Sequence, residues 1–316
     1  MIQLSRAPAV DAGSHRLQGT QEARGREATL SPVAALSIGG GLLLAGIAVV
    51  LVGTRVLVPS TSTDTPLWVV TAFGASLVFM SLAILTPAWR QYVLEEQRQA
   101  AAAARPDLPA LADYDWDVTG CTVPRWHGLV QFISGAAFFT LFLSVFNYWA
   151  FIVGGPWLVK LVTGVFDALT VFIWGQTIVR IGRALKFHGS RVTYDRFPYR
   201  PGGPVVLHWR GAQGVRLARR GSFTLRCVQE WMERSGPSNN QTSSVVRDQV
   251  WAETLGFDTA QELTPDEDVL LSFDLPADAP TTALAAPERP VYWELEVKLD
   301  LRGFDFVETY LVPIYK

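Results

Sequence analysis

Four long runs of apolar residues lie in the first 186 residues of the chain, and they predict four membrane-spanning helices. The runs cover residues 33–58, 67–87, 129–153 and 157–179. Each holds about 20 or more mostly apolar residues, enough to cross roughly 30 Å of hydrocarbon at about 1.5 Å per residue. Short connections join the first run to the second and the third to the fourth, so we expect two transmembrane hairpins.

From residue 191 onward the apolar positions recur at every second residue, which predicts β-strands. The clearest segment is 291–300, where apolar and charged residues alternate. Its apolar residues are Trp293, Leu295, Val297 and Leu299, and its charged residues are Glu294, Glu296, Lys298 and Asp300. We expect the apolar side to be buried and the charged side to face solvent. About eight such strands separated by turn residues predict a sandwich.

These patterns define the fold class as an α+β membrane protein, with four transmembrane helices in two hairpins and a C-terminal antiparallel β-sandwich. Five segments follow, in chain order. They are a disordered tail (1–30), a transmembrane hairpin (31–87), a cytoplasmic loop with a helical extension (88–128), a second transmembrane hairpin (129–186) and a cytoplasmic β-sandwich domain (187–316). The tail lacks periodicity, and Pro106 and Pro109 are expected to end the helical extension.

Composition supports a membrane location and argues against several other functions. The chain has 316 residues, of which 49% are hydrophobic and only 18% are charged, whereas soluble proteins carry about 25% charged residues. A net charge of −2 gives no overall basicity for nucleic-acid binding. Cys121 and Cys227 are expected to be apolar packing residues, and the four histidines lack metal-ligand spacing. We therefore expect no metal and no cofactor.

The distribution of Lys and Arg sets the expected orientation. Twelve of them lie in the tail, in the 88–128 loop and just after the fourth span, against Arg55 and Lys160 on the other side. Because cytoplasmic segments near membrane spans are enriched in positive charge, both termini and the 88–128 loop are predicted to be cytoplasmic.

The chain leaves the fourth span through a group of basic residues, which we call the basic collar. Its members are Arg180, Arg183, Lys186 and Arg191. We expect the collar to face anionic lipid head groups. The basic stretch continues beyond the collar and allows an alternative interpretation. In this alternative, Arg216, Arg219 and Arg220 form a site for a phosphorylated or acidic ligand.

Asp167 is the candidate functional residue within the membrane, because it falls near the middle of the fourth span. An ionised carboxylate there costs at least about 2.5–3.5 kcal/mol. One hypothesis makes Asp167 a proton or ion relay. The other makes it a hydrogen-bonded contact between helices, with Gln131, Asn147 or Gln176 as partner.

The 88–128 loop contains two aromatic residues among acids, at Tyr114 and Trp116. This composition suits either a docking segment or plain anchoring at the membrane surface. Tryptophan is enriched at membrane interfaces, so the surface-anchoring interpretation is favoured for Trp116 and Trp126.

Several short motifs in the loop and the strand region resemble those of a known family. They are Ala104-Arg-Pro-Asp-Leu-Pro109 with Asp115-Trp116, Phe146-Asn147, Phe273-Asp-Leu-Pro-Ala-Asp-Ala-Pro-Thr281, Tyr292-Trp-Glu-Leu-Glu-Val297, Gly303-Phe-Asp305 and Val312-Pro-Ile314. Over residues 65–316 the chain resembles the bacterial domain-of-unknown-function 3592 membrane-protein family, although Leu108-Pro109-Ala110 replaces that family's Pro-Trp. The C-terminal strands also resemble arrestin-like sandwiches. The family resemblance implies a bacterial inner-membrane protein and transfers no catalytic residue.

No nucleophile, acid and base stand at a spacing typical of an enzyme, so we expect no catalytic residues. The leading hypothesis is a non-enzymatic membrane anchor whose cytoplasmic β-sandwich binds a protein or peptide partner. The alternative is a small transporter or channel component that uses Asp167 and functions as an oligomer. An enzyme with a cleft between the loop and the sandwich ranks third.

Overall fold

The computed structural model describes residues 4–6, 15–17, 32–57, 66–106, 108, 110–122, 129–235, 242–264, 267–286 and 288–316. Most of the tail (1–30) lies outside the described residues. The chain divides into two units. The helical unit comprises Thr29–Leu94 and Arg125–Ala184, and the β-rich unit comprises Met1–Ala28, Glu95–Pro124 and Leu185–Lys316.

The described helices are α1 Pro32–Gly53, α2 Leu67–Ala104, α3 Ala110–Asp113, α4 Leu129–Asn147 and α5 Trp157–Lys186, and a π-helical turn, Tyr148–Ile152, follows α4. Four helical stretches, of 20, 23, 21 and 30 residues, are long and apolar enough to cross a membrane. This confirms the four predicted spans as helices of that length. Helix α2 continues to Ala104, which confirms the helical extension.

Small residues allow α1 and α2 to pack closely. A Cβ atom added at Gly46 of α1 would lie 2.9 Å from the carbonyl oxygen of Gly74 in α2, and one added at Gly53 would lie 2.4 Å from Oγ1 of Thr71. The Ser81 hydroxyl also donates to the Gly39 carbonyl at 2.7 Å. In lipid, burial of apolar side chains does not drive helices together, because the surroundings are equally apolar. Close backbone contact of this kind then stabilises a helix pair.

Twelve strands form within the described residues. They are β1 Ser5–Arg6, β2 His15–Arg16, β3 Gly120–Thr122, β4 Arg191–Tyr194, β5 Pro204–Arg210, β6 Leu217–Ala218, β7 Arg220–Ser235, β8 Thr242–Phe257, β9 Gln261–Glu262, β10 Asp268–Asp274, β11 Val291–Asp300 and β12 Phe306–Val312. The alternation predicts strands at residues 191–194, 204–209, 214–218, 223–227, 245–255, 269–273, 291–300 and 304–314, and each of these segments contains a strand. The sequence did not predict β1, β2, β3 or β9.

The strands form two larger antiparallel sheets and one small pair. The six-stranded sheet has the order β1-β8-β7-β11-β12, with β2 also paired to β8, and the four-stranded sheet has the order β10-β5-β4-β3. Two pieces of the tail therefore pair with β8, which differs from the disorder expected there. The 88–128 loop contributes β3 to the second sheet through pairing with β4.

The two larger sheets share one hydrophobic core. Trp209 of β5 contacts Phe223 of β7 and Phe306 of β12, with ring centroids 5.3 Å and 6.0 Å apart. The apolar residues of β11 face this core, as predicted. Cys227 is also fully buried in it, and burial raises the pKa of its thiol to about 12, in keeping with a packing role.

A second core lies on the opposite face of the six-stranded sheet, because successive residues of a strand point to opposite sides. Tyr292, Val228 and Leu311 point into it, and the loop covers them with Leu111 and Trp116. Trp116 is only 8% exposed. The expectation that Trp116 anchors at the membrane surface is therefore wrong, because its ring packs inside the β-rich unit. Trp126 lies outside the described residues.

Glu294 and Glu296 also differ from expectation, since both are buried rather than facing solvent. Arg226 on the neighbouring strand lies beside them. Its Nη2 atom is 2.5 Å from Glu294 Oε1, and its Nη1 atom is 3.1 Å from Glu296 Oε1. A buried carboxylate needs such a partner. Strand β11 is thus buried on both faces.

Asp113 fixes the loop to the β-rich unit. Its two carboxylate oxygens accept hydrogen bonds from the backbone N–H groups of Leu284 at 2.9 Å and Ala285 at 2.7 Å, and from the Tyr315 hydroxyl at 2.6 Å. Trp116 Nε1 donates to the same hydroxyl at 3.0 Å. Burial, then the Asp113 contact, raises the pKa of Tyr315, which keeps its hydroxyl a donor.

Replacement of Asp113 by Ala is expected to destabilise the β-rich unit by about 2–4 kcal/mol, since three donors lose a charged acceptor. Thermal unfolding of the full chain, with proteolysis of the 106–124 segment, measures the effect. Asp115→Ala is the matched control, because Asp115 is exposed in the same loop. Equal stability of the two variants would contradict the role given to Asp113.

Candidate functional site

Asp167, the candidate within the apolar helices, receives a hydrogen bond from α4. Asn147 Nδ2 donates to Asp167 Oδ1 at 2.8 Å, and both residues are half-buried. Asn147 is one of the three partners considered from sequence. Gln176 is exposed, and the side chain of Gln131 lies outside the description. The contact is what the interhelical hypothesis requires, and the relay hypothesis stays a prediction.

Helix α5 buries polar side chains and exposes apolar ones. Thr163, Thr170 and Thr177 are buried at intervals of seven residues. Trp174 Nε1 donates to Thr140 Oγ1 of α4 at 2.9 Å. Other side chains of α5, such as Trp157 and Phe172, are 62–75% exposed. Because an apolar outer surface is unfavourable in water, this arrangement favours a lipid environment.

The four members of the basic collar lie in different surroundings. Arg180 lies over the Phe132 ring, with Cζ 3.8 Å from the ring centroid, and Arg183 is exposed. Lys186 Nζ donates to the carbonyl oxygens of Arg302 at 3.1 Å and Phe304 at 3.3 Å. Arg191 is a half-buried residue of β4. The lysine and Arg191 are thus built into the β-rich unit.

The alternative anion site receives little support from the surroundings of Arg220. Arg220 lines an open depression of about 330 Å³ together with Lys298 and three acids, Asp258, Asp300 and Asp305. The carboxylates outnumber the two basic groups, so the depression does not favour an acidic ligand. Arg216 and Arg219 are exposed at a neighbouring turn.

The β-rich unit has an open side where β8 and β10, from different sheets, lie next to one another. Strand β10 pairs only with β5 among the described residues. The Ser272 carbonyl accepts from Arg6 Nη2 at 3.1 Å, and the Asp274 N–H donates to Glu253 Oε2 at 3.3 Å. Backbone groups at alternate β10 positions therefore point away from β5.

Leu270 shares this orientation, since it is two residues before Ser272. Its side chain is 58% exposed, and in the described part of the chain its outward backbone groups have no hydrogen-bond partner. An unpaired strand edge with an exposed leucine can add another strand. Within the described part of the chain, the first half of β10 is therefore an open edge.

A cavity of about 360 Å³ adjoins this open edge. Leu4, Leu263, Val269 and Leu270 give it an apolar wall. Its rim is acidic and includes Glu262, Glu267 and Asp268. The hydrogen bond from Arg210, at 2.8 Å, lowers the pKa of Asp268 and keeps it ionised. The volume is large enough for one or two side chains of a peptide.

Arg6 joins the two sheets at the open side. Its Nε atom lies 2.5 Å from Glu253 Oε1 of β8, and its Nη1 atom lies 2.9 Å from Asp274 Oδ2 of β10. The guanidinium thus reaches two carboxylates and the Ser272 carbonyl, which a planar fork of donors permits. We call residues 4–6, which carry this contact, the N-terminal clasp.

Glu253 pairs electrostatically with the clasp, and its side chain is only 4% exposed with Arg6 in contact. Burial raises the pKa of Glu253, whereas the charge of Arg6 and the Asp274 N–H lower it. A buried carboxylate without a cation is unfavourable. The open side therefore favours a positive group beside Glu253.

Sequence reasoning missed Arg6, Glu253 and Asp274 as members of one site. Arg6 lies in a segment with no periodicity, and the other two belong to different sheets far apart in the chain. The Leu4-Ser-Arg6 order is a signal only once β8 and β10 are known to be neighbours. Among the described residues, no group of three His, Cys, Asp or Glu could hold a metal ion.

Comparisons with known proteins give no family. No family model matches the chain, and no curated protein matches it. Among solved structures, one similar chain is Spo0M, the sporulation control protein from Bacillus subtilis, with a TM-score of 0.27 and 15% identity over 40% of this chain and 48% of that chain. A likeness this weak carries no argument. The resemblances to the domain-of-unknown-function 3592 family and to arrestin-like proteins stay predictions.

We expect Asn147→Ala and Asp167→Ala to couple by about 0.6–1.7 kcal/mol in a double-mutant cycle, the range for hydrogen bonds between membrane helices. Unfolding of the full chain in detergent measures the coupling. Asn147→Ala with Thr177→Ala is the control cycle, and its effects should add within about 0.5 kcal/mol. Proton flux lost in Asp167→Asn proteoliposomes would instead establish the relay.

Proposed function

We propose that this protein is a non-enzymatic anchor of the bacterial inner membrane. Its four apolar helices cross the bilayer, both termini are cytoplasmic, and the β-rich unit is a cytoplasmic β-sandwich that binds a protein or peptide partner. The proposal includes no cofactor, no catalytic step and no nucleic acid. A homo-oligomer is compatible with it.

The helical unit supports the membrane part of the proposal. Its four helices have spanning length, and only 11–28% of the residues in their most apolar windows are buried. An apolar surface of this extent is stable in lipid and unfavourable in water. The excess of Lys and Arg in the tail, the loop and the collar supports the orientation.

The shared core supports the sandwich. Side chains from the inner faces of the six-stranded and four-stranded sheets meet there, with Trp209 against Phe223 and Phe306. Two antiparallel sheets in face-to-face contact are the basis of sandwich folds.

The open edge of β10 is the observation that carries the partner-binding part. Outward-pointing backbone groups at Leu270 give hydrogen bonds to an added strand, and the adjoining cavity receives alternate side chains of that strand. Strand edges are usually covered or charged to prevent such pairing. The first half of β10 presents Leu270 beside Asp268, whose carboxylate is paired with Arg210.

The transport alternative has less support. Asp167 receives a hydrogen bond from Asn147 of α4, and the hydroxyls of the buried Thr170 and Thr177 donate to carbonyl oxygens of their own helix, so each of these polar groups has a structural partner. The domain-of-unknown-function 3592 resemblance adds nothing on either side, because that family has no assigned activity.

The orientation predicts opposite results for two reporter fusions. Alkaline phosphatase inserted between Gly154 and Gly155 should be active, because it folds only outside the cytoplasm, and phosphatase fused after Lys316 should be inactive. A fluorescent protein after Lys316 checks that the inactive fusion is made. An active phosphatase after Lys316 would overturn the cytoplasmic assignment.

Leu270→Asp is expected to weaken partner binding by about 30-fold or more, as for a central contact residue, because it adds charge at the open edge. A photo-crosslinker at position 270 of the full chain identifies the partner, and titration measures its affinity.

Val307→Asp is the matched control, because Val307 is an exposed residue (46%) of β12 in the other sheet. Its affinity for the partner should equal that of the wild-type chain. Equal binding by all three proteins would show that the edge of β10 is not the binding site.

A further inference from the structure

The N-terminal clasp occupies the open side in the manner of a bound peptide. We infer that residues 4–6 are a displaceable stand-in for the partner, and that the partner is an extended segment with a leucine-sized apolar residue two positions before an arginine. The inference rests on the proposed function, because it names the chemistry of the partner and adds a competitor within the chain itself.

The backbone of the clasp already performs strand addition. Ser5 and Arg6 pair antiparallel with Gly256 and Leu255 of β8, and the Ser5 hydroxyl contacts the Gly256 carbonyl at 3.0 Å. This is the way in which extended peptides add to the edge of a sheet. The site therefore accepts an extended segment, and the chain's own segment shows its direction along β8.

The side chains of the clasp define what such a segment must carry. Leu4 and Arg6 are two residues apart, so they lie on the same face of the strand. Leu4 packs against the shared core and lines the cavity, and Arg6 binds Glu253, Asp274 and the Ser272 carbonyl. A lysine cannot replace this arginine, because a single ammonium group does not present a planar fork to three acceptors.

The clasp is also suited to exchange. It pairs over only two residues, and its arginine side chain is 48% exposed. Glu253 loses its cationic partner when the clasp leaves, so a replacement that brings a cation restores the ion pair. A longer partner could extend to the open edge at Leu270, which the clasp leaves unpaired. This extra pairing gives the partner its advantage over the clasp.

The test uses the full chain in lipid nanodiscs and a labelled peptide with the sequence of residues 1–10. If the clasp competes, Arg6→Ala in the chain should let the peptide bind at least about tenfold more tightly than it binds the wild-type chain. Adding Glu253→Gln to that chain should abolish the gain. The Arg6→Lys peptide is the matched control and should bind at least about tenfold more weakly.

A chain without residues 1–17 gives a second measurement, and it should bind the peptide as tightly as Arg6→Ala does. Equal peptide affinity for the wild-type and Arg6→Ala chains, or for the Arg and Lys peptides, would overturn the inference. So would unfolding of both altered chains, because the clasp would then be a permanent strand. If any of these results is obtained while the partner still binds in a Leu270-dependent manner, the inference fails and the proposed function stands.

Discussion

The burial of β11 on both of its faces is the constraint on which the β-rich unit depends. One face supplies Trp293 and its apolar neighbours to the core shared by the two sheets. The other carries Tyr292 and Glu294 into a second layer, where the carboxylate needs Arg226 and the ring needs an apolar cover. The loop provides that cover with Leu111 and Trp116. A segment between two of the long apolar helices is therefore part of the β-rich core.

This second layer contrasts with the open side, where the sheets meet a solvent-exposed edge. The loop is fixed by three donors to one carboxylate at Asp113. The clasp instead has two paired residues and a half-exposed arginine. Few contacts and exposed hydrogen bonds mark the parts of a protein that open most readily. The inferred exchange of the clasp depends on this difference.

The helical unit buries polar side chains and exposes apolar ones, which is the reverse of the arrangement in the core of the β-rich unit. Threonines, Asn147 and Asp167 lie between helices, and the apolar side chains lie outside. In lipid, association of helices draws on close packing and hydrogen bonds rather than on burial of apolar surface. Asp167 is then understandable as one of these hydrogen bonds, and the glycines of α1 supply the close packing. The residues that carry the family resemblance, such as Trp116, Phe273 and Trp293, are buried packing residues of the β-rich unit.

The sequence by itself determined the four long helices, the extension of α2 and the strand segments, because periods of 3.6 and 2 and the length of apolar runs are local properties. It also placed the apolar face of β11 correctly. Only the tertiary structure decided that Glu294 is buried, that Trp116 is a core residue and that Arg6 meets Glu253 and Asp274. Each of these depends on segments far apart in the chain, and a single strand's alternation cannot show whether a second layer covers its polar face.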